Sequence, residues 1–71
     1  MKTITKQFSN PQNCVTAVVM FSGNLRDRYP FSVQLHDDDA MQYVPYVNFF
    51  PTETEANTYA EFIANNLESE H

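Results

Sequence analysis

Apolar and polar residues alternate with a period of two along four stretches of the chain, and apolar residues recur with a helical period along a fifth. In residues 1–8, Ile4 and Phe8 fall on one alternation and Thr3, Thr5 and Gln7 on the other, which predicts a half-buried strand. Residues 14–21 read Cys-Val-Thr-Ala-Val-Val-Met-Phe, β-branched and apolar on both alternations, as in a central strand covered on both sides. Residues 29–36 alternate cleanly, with Tyr29, Phe31, Val33 and Leu35 on one side and Pro30, Ser32, Gln34 and His36 on the other. A fourth strand spans 42–50, where Pro45 has no N–H for a ladder and so predicts an edge position or a bulge.

Breakers separate these runs. Ser9-Asn10-Pro11-Gln12-Asn13 is a turn cluster, and Ser22-Gly23-Asn24 places the single glycine where a positive φ is needed, in a loop of about five or six residues. Asp37-Asp38-Asp39 forms the third reversal. Pro51 ends the fourth strand, and Thr52 with Glu55 has the spacing of a capping box that opens a helix over about 52–68. Ala56, Tyr59, Ala60, Ile63 and Leu67 then mark one helical face. The predicted fold is α+β, a four-stranded antiparallel β-meander with one C-terminal helix on one face (ββββα), spanning 1–71 as a single small domain.

One helix covers one face of a sheet, so apolar residues on the opposite alternation need another cover. The alternation assigns Val18, Met20, Val44 and Tyr46 to that second face, and predicts a homodimer or a docked partner there. A different strand register, or the N-terminal segment folded across them, is the alternative. Size points the same way: a 71-residue chain buries only about 60% of its unfolded surface and needs a further source of stability. The single Cys14 forms no internal disulfide, which leaves self-association.

Charge is segregated along the chain. The net charge is −5, yet Lys2, Lys6, Arg26 and Arg28 all precede residue 29, opposed there only by Asp27. From residue 29 onward stand Asp37, Asp38, Asp39, Glu53, Glu55, Glu61, Glu68 and Glu70, with no lysine or arginine. Four cations do not make a nucleic-acid groove, so no direct nucleic-acid binding is expected. An acidic half suits a protein partner with a basic surface, with Asp37, Asp38, Asp39, Glu61 and Glu68 as contact residues. One version is a phage-type inhibitor, or a nucleic-acid mimic, set in the groove of a nucleic-acid-handling protein. Plain solvation of a turn and of a helix face is the simpler reading of the same residues.

Catalytic and cofactor patterns are missing. Contiguous aspartates after His36 lack the alternate spacing of a calcium loop, so no metal site is assigned. Cys14 and His36 share an alternation, but a strand cysteine is usually an inert small hydrophobe. Glutamates in the first helical turn would repel a phosphate. The expectation is a non-enzyme without cofactor, with little room for a pocket of the ~300 Å³ that small ligands need. No signal-peptide pattern or membrane-length apolar run is present, so the sequence predicts a cytoplasmic protein.

The stretch Phe50, Thr52, Glu55, Ala56, Tyr59 and Ile63 resembles the strand-to-helix junction of arm-type DNA-binding domains of phage integrases, over about a quarter of the chain. The resemblance implies a strand followed directly by a helix. Those domains are basic on the sheet that enters DNA, and this chain is not, so no binding residue carries over.

Overall fold

A computed structural model describes residues 2–67. Four strands, β1 (Thr3–Asn10), β2 (Val15–Phe21), β3 (Phe31–Asp37) and β4 (Gln42–Phe50), precede one helix, α1 (Glu53–Asn66). The strands pair antiparallel in chain order β1-β2-β3-β4, a meander, as the short connections dictate. The predicted ββββα architecture is therefore the fold.

Helix α1 lies on one face of the sheet. Val15, Ala17 and Val19 of β2 and Val33 and Leu35 of β3 are buried against Ala56, Ala60, Ile63 and Ala64 of α1. Alanines at positions 56, 60 and 64 form an i, i+4 stripe, and their small side chains let the helix backbone approach the sheet closely. Helix α1 packs chiefly on β2 and β3, then on β1, and least on β4. Thr52 caps it as the spacing predicts: its Oγ1 accepts from the Glu55 amide at 3.3 Å and donates to Glu55 Oε2 at 3.1 Å. At the other end the Asn10 and Asn13 side-chain amides both donate to the Ala64 carbonyl, at 3.0 and 3.2 Å. The β1–β2 turn thus satisfies a carbonyl that the helix end leaves without an intrahelical partner.

Two hairpins close by the same device. Cys14 and Met41, the residues that end the β1–β2 and β3–β4 turns, hold φ of 57° and 55°. A left-handed residue after a tight turn restores strand direction, at a steric cost that glycine avoids. Gly23 takes φ of 90°, as its turn requires. The β2–β3 connection, residues 22–30, is longer than the sequence suggests, because Tyr29 and Pro30 stand outside β3. Side chains order this loop: Ser22 Oγ donates to Asp27 Oδ2 at 2.8 Å, and Asn24 Oδ1 accepts from the Arg26 amide at 2.9 Å.

Both edge strands carry a bulge, and the one in β1 changes which residues share a face. In β1 the register shifts between Ile4 and Lys6. Phe8 therefore pairs with Ala17 on the helix side, while Ile4 pairs with Met20 on the open side, so the two do not share a face as simple alternation suggests. In β4 the register passes from Val47 opposite Gln34 to Tyr43 opposite His36, so Val44, Pro45 and Tyr46 together face one residue, Leu35. Pro45 thus occupies both settings its chemistry allows, an edge strand and a bulge.

Candidate functional site

The face away from α1 consists of three cross-strand rows. Ile4, Met20, Ser32 and Phe49 form one, Gln7, Val18, Gln34 and Val47 the next, and Ser9, Thr16, His36 and Tyr43 the last. None of these residues is a lysine, arginine, aspartate or glutamate. The first two rows expose Ile4 (48%), Phe49 (56%) and Val47, while Val18 and Ser32 are buried beneath their neighbours.

The assignment of Val18, Met20, Val44 and Tyr46 to one face needs correction. Val18 and Met20 do lie on the open face. Val44 packs against the helix-side core, and Tyr46, 75% exposed, lies on the same side of the sheet. The phase of β4 is the cause: its positions Tyr43, Val47 and Phe49 pair with His36, Gln34 and Ser32 on the open face, and the two extra residues opposite Leu35 leave that alternation unchanged, so Val44 and Tyr46 fall on the helix side.

The third row ends in a polar network. Asp38 reaches back from the turn, its Oδ1 2.6 Å from His36 Nδ1 and its Oδ2 accepting from Thr16 Oγ1 at 2.9 Å. Thr16 Oγ1 is in turn 3.2 Å from Ser9 Oγ, and the His36 ring meets Tyr43 edge-on at 4.9 Å. In a nucleophilic relay the hydroxyl bonds the imidazole and the carboxylate orients the ring from the other side. Here the Thr16 hydroxyl is held by the carboxylate, an arrangement that ties the β3–β4 turn to β2.

The three consecutive aspartates have three environments. Asp37 is 7% exposed, and its Oδ1 accepts from the amides of Asp39 and Ala40, both at 3.1 Å, so it shapes the turn from inside. Asp38 holds His36 and Thr16. Asp39 is the most exposed of the three residues. An acidic triplet offered whole to a partner is therefore not what the turn presents. Glu61 lies exposed on α1, and Glu68 falls outside the described residues.

Cys14 does not meet His36, which pairs across the sheet with Thr16. The thiol, half-buried, sits instead beside the aspartate turn, where the Asp39 charge foremost, then burial, push its pKa above the ordinary value. A thiol held protonated is a poor nucleophile.

The offset of α1 away from β4 opens a cleft of about 350 Å³. Val33, Leu35, Val44 and Ile63 form its apolar walls, and Tyr46, Asn48, Tyr59 and Leu67 complete it. Asn48 Nδ2 donates to the Tyr59 hydroxyl at 3.1 Å, and Tyr59 stacks at a tilt on Phe50 at 5.2 Å. The sequence leaves little room for a pocket of the ~300 Å³ that small ligands need, and this open cleft is of about that size. Its elements, β3, β4 and α1, contain no lysine or arginine in the described residues and carry Asp37, Glu53, Glu55 and Glu61. Among the described residues no three histidine, cysteine, aspartate or glutamate side chains converge as for a metal ion, and no helix is long and apolar enough to cross a membrane.

Comparison of the chain with protein-family models, curated proteins and solved structures finds no match.

Proposed function

We propose that this chain is an acidic protein-binding module that acts by occupying a partner's surface, and that its α1–β4 cleft receives a basic amphipathic segment of that partner. The observation that carries the reading is the cleft itself, apolar within and built from three elements that contain no lysine or arginine among the described residues, two of which, β3 and α1, carry carboxylates. An apolar anchor side chain gains by leaving water, and flanking lysines or arginines gain from the carboxylates on the same elements. Tyr46 at the exposed side of the cleft adds an aromatic surface on which a cation stacks favourably. A basic nucleic-acid-handling protein is one source of such a segment. The nucleic-acid-mimic version has less support, since two of the three turn carboxylates are engaged internally.

The test uses three synthetic amphipathic peptides of equal length, leucine with lysine, leucine with glutamine and leucine with glutamate, titrated into the isotopically labelled protein. The lysine peptide is expected to perturb the amides of Val44, Tyr46, Tyr59 and Ile63 and to bind about tenfold more weakly when salt rises from low to several-fold physiological strength. Tyr46→Ala is expected to cost roughly tenfold in affinity, the scale of an interface anchor. Equal binding of all three peptides, or perturbations confined to the open sheet face, overturns the reading.

A further inference from the structure

We propose that the partner's segment binds as an extended strand on the free edge of β4, continuing the sheet to a fifth strand and setting alternate side chains into the α1–β4 cleft. This mode of binding rests on the cleft being the partner's site, and adds to it the conformation and sequence period of the segment.

Hydrogen-bond parity identifies the groups that face the edge. Ser22 N–H donates to the Pro30 carbonyl at 2.8 Å and Asp38 N–H to the Cys14 carbonyl at 2.9 Å, and both pairs continue the unbroken β2–β3 register. Bonded and non-bonded residue pairs alternate along an antiparallel ladder. Ser32, Gln34 and His36 therefore turn their backbone groups to β2, and Phe31, Val33 and Leu35 turn theirs to β4. Asn48 and Phe50, opposite Val33 and Phe31, are then the β4 residues bonded to β3. Val47 and Phe49 direct their N–H and C=O outward, and no further strand lies beside β4 among the described residues.

That stretch of edge is unguarded. Edge strands are commonly blunted by a charged side chain, a proline or a bulge. The other edge, β1, carries Lys6 and a bulge beside it, and the first half of β4 carries Pro45 and a bulge of its own. Residues 46–50, Tyr-Val-Asn-Phe-Phe, have no proline and no charge, and from Val47 to Phe50 they pair with β3 without a register shift.

The cleft runs alongside the same stretch. Tyr46 and Asn48 line it from the helix side of β4, while α1 packs least on that strand. No lining residue lies beyond β4, so the cleft is open toward the edge at which a strand is added. An added strand lies about 4.8 Å from β4, and its helix-side residues stand next to Tyr46 and Asn48, where an apolar side chain enters the cleft. Its remaining residues, opposite Val47 and Phe49, bond β4 through their backbone and hold their side chains at the rim of the sheet. Lysine or arginine stays in water there and is attracted by a molecule of net charge −5, a charge that disfavours a second copy as the added strand. The occupant is thus a short basic segment with apolar residues at every second position, bound by backbone bonds and selected by its alternate side chains.

Peptides of about seven residues, a strand's length, test the proposal. One alternates lysine and leucine, and a second has the same composition in the spacing of a helical face. A third is the alternating peptide N-methylated at two lysine amides, the donors to Val47 and Phe49, and a fourth is N-methylated at two leucine amides, which point away from β4. The alternating peptide is expected to slow hydrogen exchange of the Val47 and Phe49 amides at least about tenfold, with little change at Asn48, already bonded to β3. Methylation at lysine should weaken binding about tenfold or more, the scale of two lost hydrogen bonds, and methylation at leucine should leave it within about twofold. If the helical-spacing peptide perturbs Val44, Tyr46, Tyr59 and Ile63 while the Val47 and Phe49 amides stay unprotected, the cleft remains the partner's site and the strand mode is overturned. Equal loss from both methylated peptides overturns it as well. If no peptide binds, the cleft reading fails and the strand mode with it. Protection of Val47 and Phe49 that grows with the concentration of the protein alone assigns the edge to a second copy and overturns the proposal.

Discussion

The two faces of the sheet are built from alternate residues of the same strands, and they are finished in different ways. On the helix side, Val15, Ala17, Val19, Val33 and Leu35 meet a stripe of alanines and Ile63, so burial is supplied from within the chain. On the open side, Val18 is 3% exposed only because its own neighbours in the sheet screen it, while Phe49 and Ile4 remain in contact with water. The helix side also includes charged strand residues, Lys6 in the row of Val19 and Asp37 in the row of Val15, while the open face has none in its rows. Exclusion of charge from a surface that faces solvent runs against ordinary surface composition.

The largest expected effect separates the two faces directly. Ile63→Ala removes a buried side chain on the helix side and is expected to cost about 3 kcal/mol in urea-unfolding stability. Phe49→Ala, measured at low micromolar concentration, should change stability by less than about 0.5 kcal/mol, as exposed positions do. Comparable losses would break the distinction between a covered and an open face.

Next in size is the contrast within the aspartate turn. Asp37→Ala leaves two turn amides without their acceptor and is expected to cost about 2 kcal/mol, whereas Asp39→Ala should stay within about 0.5 kcal/mol. Thr52→Ala removes the cap of the helix that covers the core face, with an expected loss of about 1 kcal/mol by thermal or urea denaturation. Met41→Gly should act in the opposite direction and stabilise the fold by up to about 1 kcal/mol, since Met41 is 77% exposed and its left-handed backbone suits glycine.

The smallest effect concerns Cys14. Its folded pKa is raised, so the neutral thiol is the form the fold favours. The resulting stabilisation is complete below the ordinary thiol pKa and is lost as pH rises through the folded value. At mildly alkaline pH, Asp39→Asn should make Cys14 react several-fold faster with iodoacetamide, because Asp39 is the leading cause of the shift. An unchanged rate would mean that the carboxylate does not act on the thiol.

Much of this architecture is legible in the sequence, and the failures share one cause. The clean alternation of β3, the β-branched run of β2 and the Thr52–Glu55 spacing each reflect chemistry local to a few residues. Pro45 signals an edge and a bulge, but which alternation of β4 faces the helix depends on how β4 pairs with β3. Alternation within β4 separates Val44 and Tyr46 from Tyr43, Val47 and Phe49 but does not say which set joins Val18 and Met20, and pairing with β3 gives that place to Val47 and Phe49. The β1 bulge beside Thr5 has no such marker; there Thr5 Oγ1 donates to the Val19 carbonyl at 3.4 Å, a partner fourteen positions away. Leu67, placed on the helix's buried face by its spacing, is largely exposed, because α1 ends at Asn66 and sits away from β4.

The sequence by itself determined the kind and order of the elements, the turns that separate them, the cap of the helix and the separation of charge along the chain. Those properties follow from φ preferences, side-chain shape and hydrogen bonds that span only a few residues. Tertiary structure alone decided which side chains share a face, which of three identical aspartates is buried, and where the helix leaves a cleft. Each of these depends on register, and register is set by pairing and packing between residues far apart in the chain, where a one-residue bulge such as that of β1 inverts every side chain beyond it.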